Sequence, residues 1–282
     1  MNHQYNICFF KAGFQHFRLL ILLQLILVTV PAILSAQGTM GSRVFSLGQS
    51  GTALTNDHWA LFQNPSLMKT DDYAVSFYGM RFAGMEELTD LAFTLSLGSR
   101  IGTAGIGLHH FGFELYRETR FRIGYSNQID LFHYGAALTY YHVEQGEGYG
   151  SAGAVGIDFG LAAQLGNRIL FGAAATNLNR PAYGNSNEEL YRALALGISY
   201  QMTDEILFLF DIVKDARFPA SIRSGIETEI ISGFCLRAGI TTEPLTWSAG
   251  FGFKTGRVSV NIAVQNHDPL GISPAVDFGF GE

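Results

Sequence analysis

The chain has 282 residues, of which 48% are apolar, 13% aromatic and only 15% charged, against roughly 25% charged in an average soluble domain. That apolar content excludes a disordered chain, and 33 glycines without a proline period exclude a collagen-like repeat. A formal charge of −6 excludes nucleic acid as a partner, because phosphate backbones need a clustered excess of Lys and Arg.

Residues 1–36 read as an export signal. Lys11 and Arg18 precede an apolar run over 19–28 that continues to Leu34, and Leu34-Ser35-Ala36 before Gln37 is a cleavage site of small residues. The run is shorter than the roughly 20 residues a spanning helix needs, which disfavours a retained anchor. Cleavage removes two bases and no acid, leaving 16 Lys and Arg against 24 acids and a charge of −8. Cys8 leaves with the signal, so Cys235 has no intrachain partner for a disulfide.

From Tyr73 onward the apolar residues recur with period two, which puts alternate side chains on opposite faces of a sheet. Leu91, Phe93, Leu95 and Leu97 show it, as do Val155 to Leu161, Leu194 to Tyr200, Trp247 to Phe253, Val258 to Val264 and Val276 to Phe280, each read at every second position. The pattern predicts fourteen strands, at 73–82, 88–98, 101–112, 115–126, 133–143, 152–165, 168–178, 190–201, 205–213, 220–230, 233–241, 245–254, 257–266 and 272–281. Most are about ten residues long, the length a tilted strand needs to cross a bilayer. Tight turns at Gly98-Ser99-Arg100, Gly166-Asn167, Thr203-Asp204, Ser232-Gly233 and Thr255-Gly256 largely alternate with longer connections, as at the two ends of an outer-membrane barrel. The stretch 127–132 is a longer connection on the short side.

The face opposite the apolar stripe separates water from lipid. It carries Gly156, Asp158, Gly160 and Ala162, then Ser248, Gly250 and Gly252, then Ser259, Asn261 and Ala263. These residues make a poor solvent surface and a reasonable interior for a narrow barrel. Lys or Arg on the lipid side would cost about 2–4 kcal/mol at the midplane, so charges belong inside. The fold class expected is all-β, a transmembrane antiparallel barrel of about fourteen strands over 73–282, with a soluble sandwich as the alternative.

Residues 37–72 do not alternate and are expected to form a separate segment. Asn56 or Asp57 can cap a short helical turn near Trp59, Pro65 stops it, and Asn64 is pushed toward extended backbone by the proline. Such a segment could pack inside the lumen or remain a plain periplasmic leader.

Ser46-Leu47-Gly48, then Gly51 and Ala53, then Asp57-x-x-Ala60-x-x-x-Asn64-Pro65-x-x-Leu67, resemble the start of FadL-like outer-membrane barrels, nearest in flavour to the PorV/PorQ branch associated with type IX secretion. The motif covers about thirty residues, and Ser66 stands where these proteins often have Ala. The resemblance implies a fourteen-stranded barrel in the outer membrane of a Gram-negative bacterium, with the amino-terminal segment folded into the lumen as a plug. It also implies a non-enzymatic role, either passage of hydrophobic small molecules or docking of exported protein cargo, with outer-membrane lipid around the wall. A structural or secreted β-protein without transport is the remaining alternative.

Charges expected to face inward are Arg120, Arg122, Asp158, Arg223, Glu227, Glu229, Arg237 and Lys254, with the last five forming a cross-strand ladder. His109 and His110, with Ser126, Asp130, His133 and His142 downstream, raise a lipolytic His–Ser pair, but adjacent strand residues face opposite ways and no Gly-x-Ser-x-Gly elbow is present. Gly102 to Gly107 lacks the order of a nucleotide loop. Neither Asp57-His58 nor His267-Asp268 is joined by ligands at metal spacing, so no catalytic residue, metal or cofactor is expected.

Overall fold

The computed structural model describes residues 39–146, 150–184, 189–268 and 270–281. The expected export signal lies outside them.

Period-two patterning yields strands wherever it was read. The strands are β1 (Tyr73–Arg81), β2 (Thr89–Ser99), β3 (Gly102–Phe113), β4 (Tyr116–Ile129), β5 (Phe132–Gln145), β6 (Gly150–Leu165) and β7 (Ile169–Thr176), followed by β8 (Ala193–Gln201), β9 (Ile206–Asp215), β10 (Ala220–Ile231), β11 (Phe234–Thr242), β12 (Leu245–Thr255), β13 (Val258–His267) and β14 (Gly271–Gly281). Each pairs antiparallel with its sequence neighbour. β14 returns to β1, from Ala74 opposite Gly281 to Met80 opposite Ala275, so the sheet closes into a barrel with no free edge strand.

The two faces differ as a barrel in lipid requires. On β2, Asp90, Ala92, Thr94 and Ser96 are buried inside, while Leu91 and Leu97 are about half exposed outside, at 49% and 52%. Leu194 and Leu196 on β8 and Phe251 and Phe253 on β12 face out in the same way. An apolar band of this extent would aggregate in water and suits hydrocarbon.

Two connections differ from the sequence reading. The expected longer connection at 127–132 is a two-residue turn, because β4 runs to Ile129, β5 begins at Phe132, and Asp130 takes the left-handed backbone (φ 52°) that Asp tolerates. The β7–β8 connection is longer than expected. Asn177 turns left-handed (φ 54°), its backbone N–H bonds Asp158 Oδ1 at 2.6 Å, and its side-chain amide bonds Tyr141 Oη at 3.1 Å. β7 therefore covers β6 only from Phe159 to Leu165. Beyond that, the Asn179 amide stands in for a strand, accepting from Ile157 N–H at 2.9 Å and donating to the Val155 carbonyl at 2.7 Å.

Residues 39–72 lie within the barrel lumen. They form two short helices, α1 (Ser42–Ser46) and α2 (Ala60–Gln63), and a 3-10 turn at Pro65–Leu67. Asn64 is extended (φ −140°, ψ 100°) before the proline, and its side chain accepts the Ser66 N–H at 3.2 Å.

Candidate functional site

The luminal segment meets the barrel wall along two flanks. The first is α1 with the turn after it. Ser42 donates its backbone N–H to Asp277 Oδ2 at 2.6 Å. Arg43 grips Glu227 with two parallel bonds, Nε to Oε2 at 2.9 Å and Nη2 to Oε1 at 2.7 Å, the fork geometry that gives guanidinium–carboxylate pairs their strength. Ser248 Oγ accepts from Gly48 N–H at 3.0 Å and donates to the Ser46 carbonyl at 3.1 Å. Thr241 Oγ1 donates to the Gly48 carbonyl at 2.8 Å, and Arg223 Nη1 to the Gln49 carbonyl at 3.2 Å.

Gly48 has φ 64°, and its backbone lies against the backbone of Ser224, Gly239 and Ile240. A Cβ on Gly48 or Gly239 would collide with the opposing main chain. Leu47 is fully buried with Val44, Leu54 and the β9 residue Leu209.

The second flank is apolar. Leu61, Leu67 and Met68 pack with Ala137, Ala162 and Leu170 of the wall. Trp59, 1% exposed, packs its ring against Phe62 and edge-on to Tyr78 of β1, with centroids at 6.0 and 5.7 Å. Asn64 is fully buried, and its amide donates to the Thr52 carbonyl at 2.7 Å. Pro65 and Ser66 lie against Gly135 and Gly160, where any side chain on the wall would displace them. Between the flanks Thr52 donates its backbone N–H to Asp211 Oδ2 at 2.9 Å.

The segment's opposite side lines a cavity of about 490 Å³ with Arg43, Asp57, His58, Glu227 and Lys254 on its walls. Burial pushes the Asp57 carboxyl up to about 6, with Arg43 opposing the shift. Burial also lowers His58, and the cationic Lys254 and Arg43 add to it. For Arg43 burial works to lower the pKa, but the Glu227 carboxylate overrides it and the guanidinium lies above its ordinary value.

Of the expected five-residue charge ladder, the Glu227–Arg237 rung is present and the others are not. Glu227 pairs with Arg237 and with Arg43 of the luminal segment. Glu229 accepts the Gly233 N–H of its own turn at 2.8 Å, Arg223 reaches the Gln49 carbonyl, and Lys254 is exposed at the cavity mouth. Arg43 and the Gln49 carbonyl of the segment engage Glu227 and Arg223 in place of ladder neighbours. Arg122 pairs with Asp158 at 2.6 Å, and Arg120 with Glu118 at 2.9 Å.

Alternation separates the two histidines. His109 is buried and pairs with Asp90 at 2.5 Å, whereas His110 is outside and meets Thr119. Ser126 Oγ donates instead to the Met68 carbonyl at 2.6 Å, so no His–Ser pair is assembled there. Asp90, Glu118, Asp211 and Asp277 were missed by the sequence reading, although Asp211 and Asp277 each sit on a luminal position between exposed apolar residues.

No protein-family model and no curated protein matches the chain. Among solved structures it is similar to the toluene transporter TodX of Pseudomonas putida, with TM-score 0.62 and 13% identity over 86% of this chain and 96% of that one. The CymD monoaromatic hydrocarbon channel gives 0.63 and 14%, over 86% and 97%. The fold is that of FadL-type outer-membrane barrels. A FadL homologue of Pseudomonas aeruginosa adds a match of 0.54 at 11% identity, over 86% and 97% of the two chains. At these identities the likeness to FadL-type barrels is one of fold.

Proposed function

We propose that this FadL-type barrel resides in the outer membrane of a Gram-negative bacterium and passes hydrophobic small molecules, with residues 37–72 acting as a plug. The observation that carries the reading is the packing of the lumen: Thr94, Thr139, Asp158, Asn177 and Asp211 face inward and are no more than 1% exposed. Hydrated solutes need a water column, and luminal side chains lining one would be wet. A molecule that partitions into apolar surroundings needs only local displacement of packed side chains. The described names of TodX and CymD, a toluene transporter and a monoaromatic hydrocarbon channel, favour the same class of solute.

Uptake of labelled toluene by proteoliposomes tests this. The protein is expected to accelerate toluene entry severalfold over empty liposomes while leaving glucose entry unchanged. Equal toluene entry with and without protein would overturn the reading. Docking of exported proteins, which the amino-terminal motif's resemblance to the PorV/PorQ branch suggests, would instead be favoured by stoichiometric copurification of an exported partner in mild detergent.

A further inference from the structure

A second cavity, of about 100 Å³, lies between the luminal segment and the wall formed by β4, β5 and β7 to β10. Among the described residues lining it are Arg120, Arg122 and Arg223, and no Asp or Glu. The carboxylates that balance these charges, Glu118, Asp158 and Asp211, are buried but do not line the space. The cavity therefore presents guanidinium donors without competing acceptor charge. We infer that it is a binding site for a small oxyanion, a carboxylate group or inorganic phosphate.

Three observations carry this. First, the guanidinium groups are held in place: Arg122 lies over the Phe62 ring at 5.6 Å and Arg120 over the Tyr141 ring at 5.4 Å, and they pair with Asp158 and Glu118. Second, donor capacity is left over. Arg122 is 6% exposed, its Nε has no hydrogen-bond partner among the described residues, and neither has Arg223 Nε. Among the described residues Arg223 has no carboxylate within ion-pair distance, and it spends one nitrogen on the Gln49 carbonyl. A buried guanidinium with idle N–H groups is costly, and a planar or tetrahedral oxyanion matches its fork. Third, the space of about 100 Å³ has room for several waters, and so for a carboxylate or phosphate. Gln49, Gln63 and Thr52 of the luminal segment line the same space, so a bound anion would bridge segment and wall.

The site goes beyond hydrocarbon passage and is tested without any membrane crossing. The full chain in detergent is titrated calorimetrically with sodium phosphate, sodium acetate and sodium benzoate at constant ionic strength. At least one is expected to bind with unit stoichiometry, with R223Q at least tenfold weaker and K254Q, at the other cavity, unchanged. Phosphate and acetate binding alike identify a free small oxyanion, whereas benzoate alone identifies the end group of an organic molecule. R223Q breaks no ion pair, so its folded state is expected to persist, checked by heat-modifiable migration. R122Q provides a second reading of the same site. Absence of saturable binding by all three anions to the folded protein, or unchanged affinity in folded R223Q, would overturn the inference.

Discussion

The two flanks of the luminal segment are held by different forces. Around α1, the wall of β10 to β14 offers Glu227 to the Arg43 guanidinium, and Thr241, Ser248 and Asp277 to main-chain groups of 42–48. Around α2 and the 3-10 turn, Leu61, Leu67 and Met68 press on alanines and glycines of β3 to β6 with few directional bonds. Hydrogen bonds of this kind have small net worth and can be exchanged with water, whereas apolar packing is lost outright when the surfaces part. The comparison makes the α1 flank the one that releases first and the α2 flank the one that retains the segment.

Cutting the apolar flank should have the largest effect. Leu61→Ala removes a fully buried side chain, and loss of transfer energy plus the cavity left behind should cost about 2–5 kcal/mol, read by urea unfolding in micelles. On the polar flank, Arg43→Met leaves Glu227 with Arg237 alone. Because both Arg43 and Glu227 are slightly exposed, a cost of about 1–3 kcal/mol is expected, with proteolysis beginning in residues 39–60. If Arg43→Met costs more than Leu61→Ala, the ranking of the flanks is reversed.

The smallest effect is one of pH. Asp57 is neutral at low pH, and its folded pKa of about 6 lies above the ordinary value. Its contribution is therefore fully present below about 4 and is lost as pH rises through about 6. Asp57→Asn should match the intact protein near pH 4 and exceed it in thermal stability at pH 8. Curves that stay parallel across that range would remove Asp57 from the account.

The wall was legible because lipid and lumen demand opposite residues at alternate positions, so Leu91, Val155 or Phe251 each declare a face without knowledge of any contact. The turn at Asp130-Leu131 was misread because 127–129 are paired beyond the apolar band, where polarity no longer marks a connection. The candidate site was less legible. Arg43 reaches its wall partner Glu227 across 184 residues, and Ser42 reaches Asp277 across 235. One signal was available: luminal glycines in mid-strand, such as Gly160 and Gly239, mark where another backbone touches the wall. Parity would likewise have placed Asp90 and Asp277 inside.

The most direct test of the central claim, that residues 39–72 occlude the lumen, is single-channel conductance in planar bilayers of the intact protein and of a variant lacking 39–70. The intact protein is expected to show no stable conducting steps and the deletion variant large ones, because Glu227, Asp277 and their neighbours would then face water. A deletion variant that folds, by heat-modifiable migration, and conducts no more than the intact protein would contradict the account.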